Sequence, residues 1–238
     1  MLKLALTFSL LMLLSGAAFG GDQVDDAKWK QWVPAGWKLA ASAVGDLNQG
    51  GRDDAVLVLE EDNPKKYSEN LVGSAKVKAN LNTRRLLVLF QKASGYGKAV
   101  ETDRFIPSPN QTDDPCTFWV LEHVHVHHRQ LHVSLHRESA CGSGPEGDSR
   151  FVFGYENERF RLVGLDTRFM AGSTDKAMNI DYLTGMQILT SGNVADKRGR
   201  IVRTNIPEQK RYIYLDEMKP AYCYDLSEYF SSNKCQPD

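Results

Sequence analysis

From Trp37 onward, short runs of apolar, β-branched and aromatic residues alternate with Gly, Asn, Asp and Pro, at the roughly 8–12-residue spacing typical of strands joined by turns. The runs predict strands at Lys38–Val44, Ala55–Glu60, Arg84–Gln91, Ala99–Phe105, Phe118–His127, Leu131–His136, Phe151–Tyr155, Phe160–Leu165, Met186–Leu189, Ile201–Thr204 and Tyr212–Leu215. The polar stretch from Asp62 to Asn82 has helical propensity around Ser74–Asn80 and reads as a mobile insertion, not a domain linker. Ahead of the strands, Asp25–Val33 predicts a short helix ended by Pro34, with Trp29 and Trp32 on its apolar side and Trp37 just beyond. These rings read as core anchors, with a sugar-stacking platform as the alternative. Near the end, Asp225-Leu-Ser-Glu228 has the form of a capping box and predicts a short C-terminal helix. The expected fold is all-β: consecutive antiparallel hairpins in one disulfide-stapled domain over residues 21–238, with a short helix at each end.

The first twenty residues break this pattern. Lys3 is followed by an apolar stretch from Leu4 to Leu14 and a small-residue end from Ser15 to Gly20, the layout of a secretory signal peptide with cleavage expected after Gly20. The stretch is shorter than the about 20 apolar residues a membrane span needs, so the expectation is a soluble periplasmic or secreted protein. Composition adds little: 42% hydrophobic and 25% charged residues are ordinary for a globular chain. Lys plus Arg number 29 against 30 Asp plus Glu, which provides no basic field for nucleic acid.

All six histidines lie between His123 and His136, in LEHVHVHHRQLHVSLH. Strand alternation puts Val124 and Val126 on one face with Leu131, Val133 and Leu135, and His123, His125 and His127 on the other with His132 and His136. Glu122 then faces away from the histidines. The predicted register pairs residues whose numbers sum to 257, so that His125 faces His132 and His123 faces Ser134. Extended outward, it sets Cys116 opposite Cys141. An even count of four cysteines in an exported chain favours disulfides. Of the three pairings available, this register selects Cys116–Cys141 and, by elimination, Cys223–Cys235. Neutral imidazoles at cross-strand spacing suit zinc, copper or nickel, which makes His123, His125 and His132 the candidate transition-metal ligands. A plain polar strand face and a pH-responsive surface are the competing readings.

A second chemical signal is Gly45-Asp-Leu-Asn-Gln-Gly-Gly-Arg-Asp-Asp54. Oxygen-bearing residues at alternate loop positions, a glycine at the bend and a final carboxylate before a strand fit calcium. Asp46, Asn48, Gly51 and Asp54 resemble the D-x-N-x-D-G-x-x-D loop of FG-GAP and VCBS repeats, with Gly50 where the third oxygen ligand would stand. The alternative is an ion-free loop whose side-chain oxygens cap backbone amides. The loop, the hairpin at 151–166 and the NIDYLTG stretch at 179–185 resemble exported bacterial β-rich proteins that carry one such loop early. The resemblance implies a β-rich fold and no particular activity.

His-Glu-x-x-His, G-x-S-x-G and P-loop patterns are absent from the sequence, and no residue is singled out as catalytic. The expected function is an exported, non-enzymatic binding or interaction protein that captures a transition metal on the histidine hairpin. The alternative is a periplasmic hydrolase using a His-bound metal or a carboxylate pair. A bare protein-interaction module is the third reading, with its partner unspecified.

Overall fold

The apolar run Ala55–Leu59 has no polar face, and in the folded chain it meets a hydrophobic layer on each side. The structure is a computed structural model that describes residues 26–72, 74–111, 115–141, 144–193, 196–224 and 235. The leader and the Asp225–Glu228 capping box lie outside the described residues. Among the described residues thirteen strands form: β1 Trp37–Gly45, β2 Asp54–Glu61, β3 Tyr67–Val72, β4 Ala75–Asn80, β5 Arg84–Lys92, β6 Gly95–Thr102, β7 Thr117–His127, β8 Gln130–Ser139, β9 Glu146–Glu156, β10 Arg159–Ala171, β11 Thr174–Asp181, β12 Met186–Asn193 and β13 Asp196–Asn205. They make an antiparallel four-stranded sheet β1-β2-β5-β6, an antiparallel seven-stranded sheet running β13 to β7 in order, and the two-stranded β3-β4 hairpin. No described helix is long and apolar enough to cross a membrane.

The two large sheets share one core. Val56, Val58, Leu86 and Val88 of the first pack with Trp119, Leu131, Val133, Leu135, Phe151, Phe153 and Leu162 of the second, and Phe105 sits edge-on to Phe151 and Phe153. The opposite face of the first sheet, Ala55, Leu57, Leu59, Leu87 and Leu89, is covered by Trp29, with Trp32 and Trp37 packed alongside. Trp29 belongs to α1 Asp26–Trp29 and is buried, which is the anchoring role. A buried ion pair ties the layers. Arg84 donates from Nε to Glu60 Oε2 at 3.0 Å and from Nη1 to the Trp119 carbonyl at 2.9 Å. Burial alone would push the Glu60 carboxyl up, but the hydrogen bonds and charges of Arg84 and Lys38 outweigh it and hold it below the usual range.

Several expectations need correction. The insertion at 62–82 holds a hairpin, not a helix. Its pairing sets Glu69 against Lys78, and its base is fixed by Asn63 N–H donating to Asn82 Oδ1 and by Asn80 donating to Glu60. Among the described residues Tyr212–Leu215 makes a single bridge, Arg161 to Tyr214, because β11 occupies that edge of β10 from Gly164 onward. The added strand β11 reads polar because only Ile180 of its residues is fully turned inward. Both disulfides form as expected, Cys116–Cys141 and Cys223–Cys235, with Cα separations of 5.1 and 5.4 Å.

Truncating Trp29 to Ala should cost about 3–5 kcal/mol, as large aromatic deletions from a packed layer do. Urea unfolding of the W29A protein checks this, and the half-buried Trp32→Ala should cost visibly less.

Candidate functional site

The seven-stranded sheet buries one face, so the pleat sends a polar row outward along β8, β9 and β10: His132, Ser134 and His136, then Asp148 and Arg150, then Asp166 and Arg168. At the tip of β7–β8 the predicted register holds. Val126 pairs with Leu131, His125 with His132 and His123 with Ser134. The two turn residues, His128 and Arg129, have φ of 48° and 64°, as a two-residue type I′ connection requires.

Further from the tip the register changes. Leu121 pairs with Leu135 and Trp119 with Arg137, which leaves Glu122 as an extra residue in a β-bulge. Strict alternation from the tip would expose Trp119 and Leu121. The bulge returns both to the inward face while Val124 and Val126 stay there. It also moves the ladder at the disulfide by one residue: Ala140 N–H donates to the Cys116 carbonyl, and Cys141 lies one position beyond. The expectation that Glu122 faces away from the histidines is therefore wrong. Its carboxylate comes together with His136 and Asp148, and the three ligand atoms lie within 4.8 Å of one another. His136 Nδ1 and Asp148 Oδ1 are in hydrogen-bond contact at 2.7 Å.

His123, His125 and His132 share the outer face without converging in the same way. His125 and His132 stack, with centroids 4.6 Å apart and planes 14° from parallel, and His127 lies 6.2 Å from His132. Parallel rings aim their lone pairs side by side, so one ring must turn before both can meet one ion. Nε2 of His132 is shielded from solvent and has no hydrogen-bond partner among the described residues. Among the described residues, the group with ligand atoms gathered closely enough for a metal is Glu122, His136 and Asp148.

Beside that group runs a shallow groove of about 290 Å³, with Glu122 and Asp148 at one end and Asn179, Ile188 and Thr190 towards the other. Its arginines are already paired. Arg150 Nε donates to Asp166 Oδ2 at 2.9 Å, and Arg168 donates to both oxygens of Asp175. Among the described residues no hydroxyl is in hydrogen-bond contact with His136.

In the acidic loop the oxygens face inward. Asp54 is fully buried and its carboxylate accepts from the N–H groups of Leu47, Asn48 and Gln91 at 2.9, 3.2 and 2.9 Å. Asp46 accepts from Gly50 and Gly51, and Asn48 Oδ1 from Gly50 at 2.7 Å. A Cβ at Gly50 would lie 2.6 Å from Asn48 Oδ1, so the motif's missing third ligand has no room in this conformation. The loop closes on its own amides and drives Leu47 into the core.

Searches against protein-family models, curated proteins and solved structures return no match to this chain.

Asp54→Ala would strand three backbone N–H groups, one of them buried and two half-buried. The expected loss is about 3 kcal/mol or more at roughly 1–3 kcal/mol per unsatisfied buried group, read by urea denaturation. A pH effect follows from the stacked pair. Burial, then the charges of His123, His127 and Arg150, lower the affinity of His125 for protons; burial, then His125, Arg150 and His127, do the same for His132, against an opposing hydrogen bond that its ring donates to the His127 backbone. With folded-state pKa values below the unfolded value of about 6.5, the unfolded chain binds these protons first, so stability falls as pH drops below about 6.5. The melting temperature should decrease from neutral to mildly acidic pH, and less so in a His125→Gln/His132→Gln double variant.

Proposed function

We propose that this is an exported binding protein whose histidine-bearing hairpin captures a transition-metal ion, with His125 and His132 as the central ligands and His123 beside them. The observation that carries the reading is the cross-strand pair itself: two imidazoles stacked at 4.6 Å, one with a shielded nitrogen lacking a partner. A buried nitrogen without a hydrogen bond is costly, and a metal bond is one way to satisfy it. An all-imidazole set suits copper, nickel or zinc and makes calcium a poor fit. Export is supported by the leader-like first twenty residues and by two disulfides, which persist in oxidising compartments.

The reading is tested by counting metal. Protein purified without chelator, stripped, then loaded separately with Cu²⁺, Ni²⁺ and Zn²⁺ is analysed by elemental mass spectrometry beside a His123→Ala/His125→Ala/His132→Ala variant. The parent should hold about one equivalent more than the variant for at least one of these ions. Equal metal content in the two proteins for all three ions would overturn the reading.

A further inference from the structure

We propose that Glu122, His136 and Asp148 form a second site, for a divalent first-row metal ion of borderline hardness, zinc foremost. This goes beyond the tip reading and does not depend on it. His136 is four residues from His132 along β8, roughly 13 Å at about 3.3 Å per residue, so one ion cannot serve both places.

Three observations converge. The first is geometric: one imidazole nitrogen and two carboxylate oxygens already lie within 4.8 Å of one another. Ligands around tetrahedral zinc stand about 3.3 Å apart, given bonds of about 2.0–2.2 Å, and rotation of the exposed Glu122 and Asp148 side chains closes that difference. The second is chemical. Neither carboxylate accepts a backbone N–H among the described residues, and the nearby Arg150 and Arg168 are held by Asp166 and Asp175. Apart from the Asp148 Oδ1 contact with His136, no described residue holds these oxygens, and they are available to a cation.

The third observation concerns the ladder. Leu121 pairs with Leu135 and His123 with Ser134, so consecutive positions of β8 meet positions of β7 that are two apart. Remove Glu122 and the two halves join as an unbroken antiparallel ladder, with Trp119, Leu121, Val124 and Val126 all still inward. The hydrophobic pattern needs the register on either side of Glu122 but not Glu122 itself. What the extra residue adds is a carboxylate beside His136 and Asp148.

Two carboxylates and one imidazole match zinc or manganese better than a soft monovalent ion. Three protein ligands leave coordination positions open, and these face the groove that Glu122 and Asp148 line. Glu122, His136 and Asp148 all act as ligands, and the ion takes the place of the proton shared between His136 and Asp148.

The test is isothermal titration of the stripped protein with zinc chloride. It compares the parent with Glu122→Gln/Asp148→Asn, with a deletion of Glu122, and with the tip variant His123→Ala/His125→Ala/His132→Ala. The Gln/Asn and deletion proteins should lose one zinc equivalent or bind it at least about tenfold more weakly, while the tip variant keeps it. The deletion protein should retain the parent's melting temperature within a few degrees, because its ladder closes. A zinc isotherm unchanged in the Gln/Asn protein overturns the proposal, as does a parent that takes no zinc. Zinc lost only in the tip variant overturns it too, while upholding the tip reading; zinc lost only in the Gln/Asn protein upholds this site and counts against zinc at the tip. As a check independent of substitution, Mn²⁺ added to the isotope-labelled parent should broaden the amide signals of Glu122, His136 and Asp148 first. Uniform broadening, or broadening that begins at the tip, overturns the assignment.

Discussion

A strand can turn only every second side chain toward a core, and the placement of each group discussed above follows from how this chain meets that constraint. Strands β2 and β5 are sandwiched between two apolar layers, so nearly all of their central residues are hydrophobic. The seven-stranded sheet has a single buried face. Its inward positions hold Leu131, Val133, Leu135, Phe151 and Phe153, and whatever alternates with them must face outward. Those alternates are histidine, serine, aspartate and arginine. The outward polar groups are therefore carried on a sheet rather than on a loop, with β8 and β9 flanked by strands on both sides and β7 by β8 alone.

The constraint becomes demanding in β7, which must bury Trp119 and Leu121 at odd positions and Val124 and Val126 at even ones. An unbroken pleat satisfies one pair only. The register shift at Glu122 satisfies both, and Arg84, reaching from the first sheet to the Trp119 carbonyl, fixes the inward half against the other layer. Bulges increase local twist and re-aim side chains. Here the redirected group is a carboxylate, and the strand it meets already presents His136.

Much of this was legible from the residues. Alternation around His127–Gln130 suffices for the tip register because both flanks of a two-residue turn are strictly patterned, and the cysteine pairing follows closely enough to survive a one-residue slip. The slip itself was also written in the sequence, as the break in parity between Trp119-x-Leu121 and Val124-x-Val126. It is visible only when Trp119 is required to be inside, which depends on contacts with the opposite sheet. Strand β11 and the β3–β4 hairpin were not legible for a different reason. Most of their residues are Lys, Asp, Glu, Asn and Ala, with weak strand preference, and partner strands and cross-strand charge pairs hold them in place.

Two stretches suggested metal chemistry, and the fold separates them by what their oxygens already do. In the loop at 46–54, Asp54 accepts three backbone N–H groups, Asp46 two and Asn48 one. Each of those bonds would have to weaken or share its lone pair before an ion could enter, and the turn that carries Leu47 into the core depends on them. On the hairpin the situation is reversed. Glu122 and Asp148 are outside the backbone hydrogen-bond network, and their only described polar neighbour of this kind is an imidazole that is itself a metal ligand by type. A carboxylate that secures the backbone is structural whatever motif surrounds it. One that the backbone does not use, held beside a histidine by a residue the ladder does not need, is available for a cation.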